Sequence, residues 1–583
     1  MKLWTLLATV VAISALLIER VPAATVDPVF DLQKIRDMPL AAKTLDRDVR
    51  PDGIVVERIE FTSDYTLDGG AIRTFGILAR PRDKTDVPGI VWAQGGMADA
   101  GEYFPLIFAG KGYACLSITL PKTEWNAFAP FDAETPENGN FVRLAVTHMR
   151  AITYLTERPE VDSQRLGIGG SSYGGVYATL VAGIDPRVKA GMSFFAGGSH
   201  HLGTHLPQFT MLADHAAVDV FRKTADGARG HRQRAVPFLW CAAANDHWFH
   251  LPAVVDTFKQ AIGDSRLCIL PNWAHGFPPH VDQQLIDWFD IHLLRSRTAY
   301  NKPGKLNIAE TGGRLQARWA WTGTNDVKKA ELVVSYGRVM PWCGWVHRLH
   351  WPIVAVLDGQ TATAEIPVPD PDLEMYIFGN IHDENDVIVS TLPMQVLPRQ
   401  LGIHAATSRP ELNGYPRGNF EPSDIAHLKS LAIAFGTADP REKHVGTQSI
   451  RIDPDGSSGK PQPPVHMKLL NVYERDHSLS FWLKADKATS VTAEVTGVPP
   501  QNWQLPGAAA ARSMIRGTPE WNPEMPLPVY RRELEIGTEW QSYEINCPAS
   551  ATPIEGYNFT VRQVAGGTAR YWLDDVRFTP EWH

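Results

Sequence analysis

Between Gly89 and Leu294 the chain repeats a single alternation, a short apolar run followed by a stretch of helical period. The runs GIVWAQ, YACLSITLP, RLGIGG, KAGMSFFAG, VPFLWCAAA and RLCILP lack polar alternation, so each predicts a strand buried on both faces. FVRLAVTHMRAITYL and HVDQQLIDWFDIHLL between and after them place apolar residues three and four apart, the pattern of amphipathic helices. Strands of that kind separated by such helices can fold only as a parallel sheet covered on both sides. Upstream, GIVVERIEFTSDY and AIRTFGILARPR alternate in polarity around Asp68-Gly69-Gly70, which predicts an antiparallel hairpin on the same sheet.

At 583 residues the chain exceeds one ordinary core, and its pattern changes after RSRTAYNKPGK. Residues 301–397 read as short alternating strands with Pro and Gly turns (LQARWAWTG, KAELVVSYG, TATAEIPV), the size of an immunoglobulin-like β-sandwich. A linker rich in Pro, Gly and Asn covers roughly 398–418, and 403–583 again reads as strands, with a length suited to a jelly-roll β-sandwich. The expected organisation is thus residues 24–300 as an α/β unit, followed by two sandwiches.

Within the α/β block, RLGIGGSSYGGVYATL (165–180) joins a buried strand to a helix through Gly170-Ser171-Ser172-Tyr173-Gly174. This is the G-x-S-x-G pattern, in which small flanking residues allow a turn sharp enough to expose the central serine. A serine hydroxyl attacks a carbonyl only when a base takes its proton and a third group orients that base. VPFLWCAAAND ends a later strand at Asp246, and RLCILPNWAHG ends the next with His275, so the order Ser, Asp, His is present at the right strand ends. The alternatives are His280 or His247 as base and Asp264 as acid. Acyl transfer also needs donors for an oxyanion: Tyr173 offers the N–H after the nucleophile, and Gln94-Gly95-Gly96-Met97 offers the other from Gly96 or Met97. Gln94, Trp125, His200, His201, Trp248 and Trp273 sit in loops after strands and are candidate walls of a substrate pocket. His200, His201 and His205, with Asp214-His215 beyond, raise the question of zinc, but a polar or substrate-contacting role is the reading preferred over a metal site.

With GSSYGG, IDPRVKA, ANDHWFHLPAV and NWAHG in place, residues 53–297 resemble the α/β-hydrolases, near the dienelactone-hydrolase, acetyl-xylan-esterase and prolyl-oligopeptidase branches. The chain departs from many esterases in carrying Gln94-Gly95-Gly96 where they have His-Gly-Gly. GNFE (418–421), SLSFWLKAD, EWQSYEI and YWLDDVRF resemble the galactose-binding-like jelly rolls of carbohydrate-binding modules. That resemblance implies a structural Ca²⁺ held by Glu421 and by Asp574 or Asp575, with no cofactor for catalysis.

The remaining sequence narrows the setting. A net charge of −8 without a long basic run argues against nucleic acid. The N-terminal Lys2, the apolar run from Leu3 to Ile18 and Val21-Pro22-Ala23 have the three-part layout of a signal peptide cleaved near residue 23, so export to periplasm or medium is expected, with no stable membrane span afterwards. The five cysteines form no disulfide framework and are expected to be free. Together these features predict an exported serine esterase acting on acyl esters of a carbohydrate, its tail dispensable for small esters. The alternatives are a serine peptidase of prolyl-oligopeptidase type and an inert carbohydrate-binding protein.

Overall fold

A computed structural model describes residues 27 and 29–582, apart from 67, 127, 279–280, 411–417, 419, 423–435, 455–464, 519 and 565–566. The expected signal peptide and His280 lie outside the described residues. Among those described, no helix is long and apolar enough to cross a membrane.

Nine strands form the first sheet: β1 (Lys43–Val49), β2 (Ile54–Tyr65), β3 (Ala71–Pro81), β4 (Val87–Ala93), β5 (Ala114–Ile118), β6 (Val161–Ser171), β7 (Val188–Phe194), β8 (Phe238–Ala243) and β9 (Ser265–Leu270). Their spatial order is β1-β2-β3-β5-β4-β6-β7-β8-β9. β1, β2, β3 and β5 pair antiparallel in turn, and every pairing from β5 through β4 to β9 is parallel. This mixed sheet with covering helices fits the α/β-hydrolase arrangement. β4, β5, β8 and the C-terminal half of β6 are buried throughout, as their unbroken apolar runs require. The hairpin joins β2 to β3, as the alternation predicts. β1 has no apolar signal because all seven of its residues are exposed; Lys43, Asp46, Arg47 and Asp48 line it, the charged design of an edge strand.

The chain order reverses around β4, which lies between β5 and β6. Loops leaving the carboxyl ends of strands at such a switch point border the crevice where ligands bind in open α/β sheets. The loop after β4 carries Gln94, and the turn after β6 carries Ser172.

After residue 301 the strand pairings are antiparallel, and Arg348 and Asn471 form an isolated parallel bridge. Residues 302–396 form two five-stranded sheets, and residues 437–580 form a five-stranded and a four-stranded one, the composition of two β-sandwiches. Neither block hangs free. At the last edge of the first sheet, the Ser390 hydroxyl accepts from Ile269 N (2.8 Å) and the Asn380 amide donates to Ile269 O (3.0 Å). Side chains of the second block thereby satisfy backbone groups that an edge strand would leave open. The helix Pro506–Ser513, from the third block, packs on the helices Pro207–Thr210 and His215–Thr224 of the first. Gly507 there lies so close that a Cβ would stand 2.0 Å from Phe209 O. The tail is packed against the first block through these contacts.

Candidate active site

Ser172 follows β6 and caps the next helix at φ 55° and ψ −124°, a conformation that costs a side-chain-bearing residue energy and recurs where function demands it. Its neighbours show why the turn must be small. A Cβ on Gly174 would meet Ala93 O at 2.1 Å, and one on Gly170 would meet Gly174 O at 2.4 Å. Glycine lets the helix Tyr173–Ile184 start directly against the end of β4, and Ser172 N is fixed by donating to Phe194 O (2.8 Å). The side chain is left half-buried at the sheet's carboxyl edge.

The later strands deliver two partners to it. His275 Nε2 lies 2.8 Å from Ser172 Oγ, and His275 Nδ1 lies 2.8 Å from Asp246 Oδ2. Asp246 turns back on its own loop, with Oδ1 accepting from Trp248 N (2.7 Å) and Phe249 N (3.0 Å). That Asx-type turn leaves Oδ2 aimed at the imidazole. The Asp246 side chain is 1% exposed and that of His275 16%. Burial by itself would raise the Asp246 carboxyl, but His275, His247 and the Phe249 N–H outweigh it and hold the group below the ordinary carboxylate range.

Two of the alternatives, Asp264 and His247, stand apart from this line of contacts. Asp264 pairs with Arg266 (2.6 Å) before β9. His247 makes no hydrogen bond to Ser172; its ring centre stands 5.6 Å from that of His275, and burial lowers it to about 4.

On the other side of Ser172, Gln94 anchors its loop by donating to Ser117 Oγ (2.9 Å). Gly96 adopts φ 57°, in the left-handed region that favours glycine, and a Cβ there would meet nothing. The closest approach belongs to Gly95, which sequence reasoning passed over: its Cβ would lie 3.2 Å from Ser171 Oγ and 3.3 Å from Ser172 Cβ. Only its position in the Gln-Gly-Gly run could have signalled this. The Met97 backbone lies in the same turn, Gly95–Met97. Tyr173 is the first residue of its helix, where the N–H lies outside the helix's own ladder.

The candidate pocket residues divide. Trp248 is 40% exposed beside Asp246, and Trp273 donates from Nε1 to Gly276 O (2.7 Å), closing the turn that carries His275. Phe277, also partly exposed, meets Phe104 at a tilt and Phe194 and Phe195 edge to face, and the Phe195 ring stands 5.3 Å from that of His275. Trp125 is not a pocket wall: it is 8% exposed, with the Arg143 guanidinium 5.2 Å from its ring centre, part of the core. His200 is likewise a core residue, packed on Phe209 and Phe221, with its backbone N–H donating to Asp226 Oδ2 (3.0 Å). His201 contributes its carbonyl to Trp342 Nε1 (2.9 Å). His205 faces His250, with ring centres 5.0 Å apart, while His215 Nε2 pairs with Ser513 Oγ (2.8 Å). No group of three or more metal-ligating side chains gathers among the described residues. All five cysteines are free and buried.

In the third block, Glu421 Oε1 accepts from Thr447 N (2.8 Å), and Asp574 Oδ2 accepts from His444 N (2.7 Å) and Val445 N (3.0 Å). Asp575 Oδ1 accepts from Arg577 Nε (2.7 Å). Glu421 and Asp574 thus secure one loop, 444–447, and the Ca²⁺ that the sequence resemblance implies would share oxygens with these donors.

No protein-family model matches the chain. Among curated proteins it is similar to thiohydrolase apmlB of Arthrinium phaeospermum, 29% identical over 137 residues, which is 23% of this chain and 40% of that protein. The match therefore spans less than half of that relative. Among solved structures it is similar to acetyl xylan esterase from a Paenibacillus species, at 17% identity and TM-score 0.38, covering 47% of this chain and 97% of that one. Acetyl xylan esterase 1 from a Thermoanaerobacterium species gives 15% identity and TM-score 0.38, covering 44% of this chain and 90% of that one. A putative dipeptidyl aminopeptidase IV from Bacteroides ovatus gives 14% identity and TM-score 0.32, covering 43% of each.

Proposed function

We propose that the chain is an exported serine hydrolase that cleaves carboxylic ester bonds through Ser172, His275 and Asp246. The observation that carries this reading is the continuous hydrogen-bonded line Ser172 Oγ–His275 Nε2 and His275 Nδ1–Asp246 Oδ2, each contact 2.8 Å. Ser172 Oγ attacks the ester carbonyl carbon while its proton passes to His275 Nε2. Asp246 holds the ring in the tautomer that can accept there and stabilises the imidazolium. The Tyr173 N–H and the loop 94–97 receive the oxyanion. Collapse expels the alcohol, which takes the proton from His275 and leaves an acyl-serine. Water then attacks that ester, gives its proton to His275 and releases the acid, and the proton returns to Ser172. A thioester follows the same course with a thiol as leaving group, the kind of bond that the name of the Arthrinium relative points to.

Within the ester class, acyl groups on a carbohydrate are the substrates we favour. The support is the resemblance of the third block to carbohydrate-binding jelly rolls and of the first to acetyl-xylan-esterase-like chains. A substrate panel tests this: acetylated and feruloylated oligosaccharides, methyl uronates, a thioester and a proline-containing peptide. The highest kcat/KM on a carbohydrate ester supports the reading. Preference for the peptide returns the peptidase alternative, and no turnover at all returns the inert binding protein.

A further inference from the structure

The loops bearing Asp246 and His275 are both held from outside the first block by one segment, residues 341–350. Asn245, fully buried next to Asp246, donates from Nδ2 to the carbonyls of Trp345 (3.0 Å) and Arg348 (2.7 Å). Asn272, three residues before His275, makes a paired contact: Nδ2 donates to His350 O (2.7 Å), and Oδ1 accepts from His350 N (2.9 Å). The two loops also join each other, since Asn245 N donates to Trp273 O (2.9 Å). The segment is itself immobilised. Arg348, 1% exposed, donates to the carbonyls of Tyr336 (3.3 Å) and Gly337 (3.2 Å), while Leu349 N donates to Asn471 O (2.9 Å) in the third block.

Side-chain amides that clamp an external backbone beside two reacting groups set the position of those groups and do no chemistry themselves. Building on the triad reading above, we propose that Asn245 and Asn272 are positioning residues. On this account the 341–350 segment fixes the separation of Asp246, His275 and Ser172, so the active site is completed by the second block. Misplacement of catalytic groups by about 1 Å from a remote change costs on the order of 100-fold in rate.

Asn272→Gly gives the cleanest test. Asn272 has φ 53°, which glycine adopts without strain, so this substitution removes the clamp while sparing the backbone. Asn245→Ala serves as the second variant. Both are compared with Ser172→Ala on a small soluble ester, about 10 °C below each variant's own melting temperature. Rates of the wild type and the two Asn variants are expressed per fluorophosphonate-reactive site, and that of Ser172→Ala per chain, so that partial unfolding does not count as lost turnover. The expected result is a fall in kcat per reactive site of roughly 10- to 100-fold, with KM within about threefold of wild type. Unchanged kcat per site in both variants overturns the positioning role, as does a loss carried by KM alone. Turnover surviving in Ser172→Ala is a separate failure, that of the triad reading itself.

Discussion

At Asp246 one side chain has two separable duties. Oδ1 closes its own loop on the N–H groups of Trp248 and Phe249, while Oδ2 orients His275. Asp246→Asn keeps an oxygen for the loop but turns an N–H toward the imidazole, which then presents the wrong tautomer to Ser172. Turnover of a small ester should fall by about 10⁴-fold, with the melting temperature within a few degrees of wild type. Steady-state kinetics and a thermal melt check both halves. The three candidate residues Ser172, Asp246 and His275 were legible in the sequence because each follows an apolar run whose end is easy to locate. The sequence did not reveal Asn245 or Asn272, since a clamp onto residues 103 and 78 positions away leaves no local signal. For Trp125 and His200 the sequence left a pocket wall and simple packing both open, because a loop after a strand suits either and burial is decided by what packs back on it.

Among elements, the strand–elbow–helix unit of β6 and residues 173–184 carries the tightest constraint. Gly174 sits where a methyl group would reach 2.1 Å from the Ala93 carbonyl, a backbone atom that cannot swing aside. Gly174→Ala should force the helix off β4, cost about 1–3 kcal/mol and lower activity with the misplaced Ser172. A denaturant melt and an ester assay would show both effects; wild-type values in the two would mean the close approach is relieved at no cost. The parallel strands could be read from pattern because burial on both faces removes polar alternation; β2 alternates in sequence yet is buried over most of its length, with Glu57, Thr62, Ser63 and Asp64 among its buried residues. β1 could not, because a fully exposed charged edge strand resembles a loop in sequence.

At the scale of the whole molecule, residues 341–350 of the second block make hydrogen bonds to both of the others. Besides the contacts of that segment to the first block, His347 Nδ1 pairs with Leu469 O (2.9 Å), and Val346 N donates to Glu555 Oε1 (3.0 Å). Removing residues from 403 onward strips those partners and uncovers the surface beneath the helix Pro506–Ser513. Turnover of even a small ester should then fall more than tenfold, on the order expected for misplaced catalytic groups; full activity in the truncated chain would restore the picture of a detachable tail. Acid should also weaken the whole fold. Burial holds His148, His231, His247, His292 and His477 to about 4. An unfolded histidine titrates near 6.5, so between those values the unfolded chain binds more protons than the folded one. Stability therefore rises with pH across that window and is lost as pH falls below about 6.5. Asp64, Asp287, Asp383 and Asp574, whose carboxyls burial raises, pull the opposite way. Melting temperatures of wild type and His231→Gln from pH 7 to pH 5 separate the two: the wild type should lose stability, and the variant should lose less. Equal slopes would remove His231 from the account.

The central claim is that one hydroxyl, on Ser172, is the nucleophile. Reaction of the full chain with a fluorophosphonate, followed by peptide mapping, measures this directly. One phosphonyl group should be found per chain, on the peptide containing Ser172, with none in Ser172→Ala and with Ser171→Ala labelled as fast as wild type. Label on any other residue, or label surviving in Ser172→Ala, would contradict the assignment.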